Sequence, residues 1–222
     1  MDADMQGMMM RFYKGVFTRG ETWYTSTIKS LIMSAVENEA QYNKEQKEEI
    51  YYIIKKLHDD SLEPYELIIE TQIGLVLVMC QTYITRVISQ VNYFYKDYEF
   101  AFKTTVSKID SSKRALLASY GPQIKGVNYR SIEIIDALAN YFKHHEEWGG
   151  NYRFLKGNEK RTAEIVSSVG GNLGLSLWYS RNLSKCTEKL GVRSMENLSL
   201  LLKIVDDWKL DIGKSITELG LE

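Results

Sequence analysis

The sequence predicts an all-α protein, an antiparallel helical bundle around one long central helix, and three observations carry that expectation. Only Pro64 and Pro122 are prolines among 222 residues, so long stretches run without a helix breaker. Ile73, Leu77, Cys80, Ile84, Val87, Val91, Phe94 and Tyr98 recur at alternating spacings of four and three. Such spacing puts all eight on one stripe of a helix and contradicts the period of two that a strand requires. The stripe extends over roughly 37 Å at 1.5 Å per residue, which makes this helix a spine for the others to pack around. A chain of this length suits one well-buried core, so residues 1–222 are expected to form a single domain.

The elements follow in order. The N-terminal stretch is apolar at Met8, Met9, Met10, Phe12 and Tyr13, but Gly7, Gly15 and Gly20 interrupt it, and 1–21 is expected to be irregular. A first helix runs from about Thr22 to Tyr42, with Trp23, Ile28, Leu31, Ile32 and Val36 inward. Asn43, with Gln46 three residues on, is expected to cap a second helix reaching about Asp59. Asp59 to Glu63 reads as a turn, and Pro64 suits the first position of the spine, which covers about Glu66 to Tyr98 or bends onward toward Tyr120. Gly121-Pro122 closes that segment. Another helix spans about Tyr129 to Glu147 and stops at Gly149-Gly150. Further helices are expected over Glu159–Val169, Leu175–Leu190 and Met195–Asp211. The last is capped by Ser194, with Leu198, Leu201, Leu202, Val205 and Trp208 inward.

Composition narrows the functional classes. Hydrophobic content of 44% with 26% charged residues is that of a folded globular chain, far from disorder. A formal net charge of −1 argues against broad electrostatic coating of nucleic acid, though it leaves room for a local basic patch. Cys80 and Cys186 sit in apolar or helical settings without CxxC spacing, and they read as a reduced, buried pair. Three histidines and two scattered cysteines supply no zinc-finger spacing, so no metal is expected and no cofactor is implied. The start lacks a basic region followed by an apolar run, as a signal peptide would have. The best membrane candidate, Thr71 to Thr85, falls short of the ~20 residues a spanning helix needs. The expected location is therefore the cytoplasm.

One helix carries a pattern with chemical content. At 100° per residue, Arg130, Glu133, Ala137, Asn140, His144 and Glu147 share one arc of the Tyr129–Glu147 helix, opposite Ile132, Ile135, Ala139 and Phe142. His144 stands one turn after Asn140, where an amide can orient an imidazole. Such a face could do acid–base work on a phosphodiester, histidine moving the proton while a cation steadies the developing charge. A polar stripe of this kind is otherwise the solvated side of an amphipathic helix.

The run Ala139-Asn-Tyr-Phe-Lys-His-His-Glu-Glu-Trp148, after a long helical spine, resembles the signature helix of the HEPN superfamily. That resemblance implies a small all-helical domain of bacterial toxin–antitoxin or phage-defence type. It also implies a metal-independent ribonuclease site formed where two copies dimerise around an arginine, a polar residue and a histidine. Carried to this chain, it makes His144 the catalytic histidine and Asn140 the polar residue. The arginine is missing: the positions five to seven before either histidine are Ala137, Leu138, Ala139 and Asn140. Lys143 could supply the charge, or a partner subunit could, and a degenerate relative without nuclease activity would show the same departure. Arg130 shares the face but lies 14 residues from His144, almost 21 Å along the axis at 1.5 Å per residue.

Elsewhere the motifs are weaker. Gly170-Gly171-Asn172-Leu173-Gly174 has no preceding strand pattern and no Gly-Lys-Ser/Thr, so it reads as a bend between helices rather than a phosphate loop. Arg153, Lys156, Lys160 and Arg161 form a basic cluster, and folding back over the end of the helix would bring it near His144. RNA contacts are accordingly expected from Arg130, His145, Arg153 and Lys156, with His144, Asn140 and Lys143 catalytic. The competing expectation is a non-enzymatic helical module that binds a protein partner or assembles as an oligomer through an apolar patch such as Met8-Met9-Met10.

Overall fold

The computed structural model describes residues 3–18, 22–45, 64–102, 109–145, 147–148, 154–173 and 181–219. Among these the architecture is an all-α bundle of eight α-helices. They are α1 (Ala3–Thr18), α2 (Thr22–Glu45), α3 (Pro64–Phe102) and α4 (Lys113–Ser119). Then come α5 (Ser131–His144), α6 (Gly157–Ser168), α7 (Asn182–Glu188) and α8 (Ser199–Leu219), with a 3₁₀ turn over Met195–Leu198 before α8. No strand occurs among the described residues, only an isolated bridge between Gln123 and Arg130.

Helix α3 is the spine, and α1, α2, α4, α5, α7 and α8 all touch it. All eight residues of its stripe are buried. It is the one helix among the described residues long and apolar enough to cross a membrane, over Leu67–Phe100, longer than the Thr71–Thr85 run alone. Half of its most apolar window is nonetheless buried inside the bundle. A carboxylate from its first half holds a remote element: Glu70, 1% exposed, accepts hydrogen bonds from Leu183 N (2.9 Å), Ser184 N (3.0 Å) and Ser184 Oγ. Those are amides left unpaired by the start of α7, so Glu70 does the work of a helix cap from 113 residues away.

Several sequence expectations change. Residues 3–18 of the supposedly irregular N-terminal segment are helical, because Tyr13 and Phe17, one turn apart, are buried against the rest of the bundle. Tyr13 donates to Asp97 on α3. A Cβ on Gly213 of α8 would stand 2.7 Å from the Cβ of Phe17, so the missing side chain lets α1 approach. Tertiary burial outweighs the cost of Gly7 and Gly15 within the helix. Trp23, expected inward, is 62% exposed. The buried face of α2 follows Ile28, Ile32 and Ala35, and Trp23 leans edge-on against Tyr24 at 4.8 Å. Asn43 lies inside α2 instead of capping a new helix. The rest of the expected second helix, the Gly149-Gly150 stop and residues 174–180 fall outside the described residues. The final helix runs beyond Asp211 to Leu219, with Ile212 and Ile216 prolonging its buried stripe.

Packing of α5 on α3 is set by a glycine. A Cβ on Gly74 would fall 2.3 Å from two ring carbons of Phe142, so the ring lies directly on the α3 backbone. On its other flank, Tyr141 is buried and its hydroxyl accepts from Asn182 Nδ2 at 2.7 Å, tying α5 to α7. These two contacts fix the roll and depth of α5, and with them the direction of its polar face.

Candidate functional site

Residues 131–139 of α5 are all buried, polar ones included. The first half of the polar arc is therefore not the solvated side of the helix, while His144 and Glu147 at its end are exposed. Helices α4 and α6 cover that first half and leave a cleft of about 550 Å³ between the three. Glu133, Ala137, Asn140, His144 and Glu147, the four-three series from one arc, all line that cleft. The volume lies within the range of small-molecule sites.

Two ion pairs form its walls. Glu133, with a side chain 6% exposed, receives Arg161 Nη2 of α6 at 2.5 Å on one oxygen and the Arg130 backbone N–H at 2.9 Å on the other. One carboxylate thus closes the first turn of α5 and clamps α6 to it. Arg161 also lies 5.7 Å from the Tyr129 ring centroid. Lys113 Nζ of α4 reaches Asp136 Oδ1 at 2.6 Å. Ser112 starts α4 by accepting from Ala115 N at 3.3 Å, which puts Lys113 and Arg114 in the first turn beside the cleft. Arg114 is exposed and has no charged or hydrogen-bonding partner among the described residues.

His144 is at the mouth, with its side chain 47% exposed and Nδ1 3.2 Å from Glu147 Oε2. Its second ring nitrogen makes no hydrogen bond among the described residues. Asn140 Oδ1 accepts from Gln81 Nε2 at 3.0 Å, leaving the Asn140 amide hydrogens without a partner among those residues. Trp148, buried, closes the far wall and packs its ring 5.7 Å from that of Tyr141.

A buried amide links this cleft to the opposite side of α5. Gln81 of α3, 6% exposed, donates Nε2 to Asp136 Oδ1 at 2.7 Å, to the Asp136 carbonyl at 3.1 Å and to Asn140. Its Oε1 accepts from Lys143 Nζ at 2.6 Å. Lys143 is therefore turned away from His144, into a second groove lined by residues of α2 and α3.

Of the residues singled out from sequence as catalytic, substrate-binding or part of the basic cluster, the fold brings His144, Asn140 and Arg161 together in the cleft and leaves Lys143, Arg130, His145 and Lys156 outside it. Arg130 is the residue before α5, and its guanidinium bonds to the carbonyls of Ala118 and Gly121, holding the preceding loop. His145 is half-buried, its Nδ1 3.1 Å from the Phe142 carbonyl and its ring 5.5 Å from Tyr141. Lys156 is exposed just before α6 and does not line the cleft. Arg153 lies outside the described residues. Sequence reasoning missed Lys113 and Arg114, which nothing local distinguishes from surface charges. Gln81 had a signal: with Gln72 it is one of two amides inside the uncharged run Thr71–Thr85 of the spine. Among the described residues no group of three or more His, Cys, Asp or Glu could hold a metal ion. No family model matches the chain, and neither do curated proteins or solved structures.

Proposed function

We propose that the chain is a HEPN-like, metal-independent endoribonuclease of a bacterial toxin or phage-defence system, acting in the cytoplasm as a dimer with its site in the α4–α5–α6 cleft. The observation that carries this is the coverage of the first half of the polar arc of α5, which leaves His144, paired with Glu147, half-exposed at the mouth of a cleft between α4, α5 and α6. The charge that the resemblance asks of α5 itself is supplied from α4, where Arg114 lines the same cleft.

In the reaction, His144 takes the proton of a ribose 2′-hydroxyl as O2′ attacks the adjacent phosphorus. The P–O5′ bond breaks, O5′ takes a proton from solvent, and a 2′,3′-cyclic phosphate is left. Glu147 orients the imidazole and stabilises it once charged. Asn140 offers its free amide hydrogens, and Arg114 the guanidinium, to the non-bridging oxygens.

The test is cleavage of mixed cellular RNA in excess chelator. The expected result is cleavage by the parent and a loss of about 10²-fold or more in His144→Ala, the share that a proton-transfer group contributes. Intact RNA with the parent, or equal cleavage by His144→Ala, would overturn the proposal. A second reading, a non-enzymatic assembly module, draws on Met8 and Phe12, one turn apart on α1 and 61% and 65% exposed. Under it, Met8→Lys with Phe12→Lys disrupts self-association or partner binding while His144→Ala is silent.

A further inference from the structure

We propose that the groove between α2, α3 and the last turn of α5 is a second ligand site, built for a nucleotide. Its volume is about 410 Å³, and Lys143 and Arg86 are among its lining residues, with no carboxylate among the described ones. Lys143 has only a neutral partner, the Gln81 amide oxygen, among the described residues. A lysine so placed gains by exchanging or sharing that oxygen with a phosphate.

Cations alone would suit any anion. Two further features narrow the class. Thr82, Thr85 and Ser89 line the same face of α3, and each hydroxyl donates its hydrogen to a carbonyl one turn back, at 2.9, 3.0 and 3.1 Å. Their oxygens consequently offer lone pairs, and the groove accepts hydrogen bonds from its ligand as well as holding its charge. Sugar hydroxyls and base amino groups are such donors. Tyr24 completes the lining with an aromatic ring, braced from behind by parallel stacking on buried Tyr83 at 5.6 Å and 7°. A fixed ring beside two cations and a row of acceptors matches base, phosphate and ribose together.

The site stands apart from the proposed ribonuclease chemistry, since none of its described lining residues lines the cleft. Gln81 nevertheless joins the two, bonding Lys143 on one side and Asp136 and Asn140 on the other. The same chemistry could reach the groove as a free mononucleotide or as the neighbouring nucleotide of an RNA strand crossing the end of α5.

Both sources are separated by titrating the full chain with adenosine 5′-monophosphate and with a single-stranded RNA hexamer. The readout is calorimetry, alongside fluorescence of Trp23, which touches Tyr24. A parent, a Lys143→Met/Arg86→Gln double variant and His144→Ala are compared, with unchanged circular dichroism required of each. The expected result is binding by the parent that weakens at least tenfold in the double variant and persists in His144→Ala. Removing two phosphate contacts should also flatten the salt dependence of hexamer binding by about 1.4 in log–log slope. Mononucleotide binding assigns the groove to a free nucleotide. Hexamer binding without it assigns the groove to the RNA strand. No binding of either probe, or equal binding by parent and double variant, overturns the proposal whatever the cleavage assay shows.

Discussion

Replacing Gly74 with alanine puts a single methyl where the Phe142 ring now lies. The added Cβ would sit 2.3 Å from Cδ2 and Cε2 and 2.6 Å from Cγ, against the ~3.5–4.0 Å of a relaxed carbon contact. On helix propensity alone the substitution would stabilise α3 by about 1 kcal/mol. Relief of the clash requires α5 to back away or the ring to swing out, and overpacking of that kind costs about 1–3 kcal/mol. The overlap takes in three ring carbons, so the upper part of that range applies, about 2–3 kcal/mol, and the net loss is about 1–2 kcal/mol. For a chain of this size that lowers Tm by about 2–8 °C. Urea unfolding followed by circular dichroism measures it, and a double-mutant cycle with Phe142→Ala supplies the control. Once the ring is gone the methyl has nothing to strike, so the paired substitutions should destabilise by about 2–3 kcal/mol less than the sum of the singles, the full cost of the clash. A Gly74→Ala variant as stable as the parent, or an additive cycle, would refute the packing argument that sets the depth of α5.

Three other outcomes follow from buried polar groups. Gln81→Met keeps the volume but removes the donor to Asp136 and Asn140 and the acceptor of Lys143. Since Asp136 keeps Lys113 and the other two reach water, the cost should be about 1–2 kcal/mol, and an unchanged urea midpoint would contradict the network. Burial pushes the Glu70 carboxyl above its ordinary 4.5, against the opposing pull of its bonds to Ser184 and Leu183. The folded chain therefore binds that proton more tightly than the unfolded one. The stability this contributes is present below pH 4.5 and lost as pH rises through the folded value. The unfolding free energy of the parent minus that of Glu70→Gln should accordingly shrink as pH climbs from 4.5, and a widening difference would show the sign to be wrong. Burial also pushes the thiols of Cys80 and Cys186 up to about 12, so a disulfide-exchange reagent at pH 8 should modify neither until urea is added.

The spine was legible because its signal is redundant. Eight apolar residues at four-three spacing would each have to be misread before Pro64–Phe102 became anything but a long buried helix. Segment 3–18 was not legible, because its stability is not local. Its glycines speak against a helix, and only the close approach of Phe17 to Gly213, 196 positions later in the chain, reverses that. Trp23 illustrates a milder form of the same failure. A large apolar side chain is expected inward, yet the stripe on α2 passes beside it, and only the position of the neighbouring helix decides which of two adjacent arcs is covered.

For the candidate site, the sequence could show which residues share an arc of α5 but not whether that arc meets water. Periodicity assigns relative angles within one helix. Coverage depends on what other helices bring, and here α6 brings Arg161 and α4 brings Lys113 and Arg114. The arginine that the proposed HEPN-like reading asks for, and that α5 lacks, shows why this matters. A search along α5 looks for a cation within two turns of His144, because within one helix nothing further away can touch the same phosphate. A cleft has no such limit: Arg114 is 30 positions from His144 in sequence and lines the same cleft from another helix. The converse holds for Lys143, adjacent to His144 in sequence but rotated by about 100° on the helix and committed to Gln81 and the opposite groove. Taking Arg114 in place of Lys143 as the proposed charged group of the cleft therefore follows from which of the two pockets each side chain lines. It also makes the two proposed sites separable by mutation, since a loss of cleavage in Arg114→Ala with nucleotide binding intact is what two distinct cations on opposite faces of α5 require.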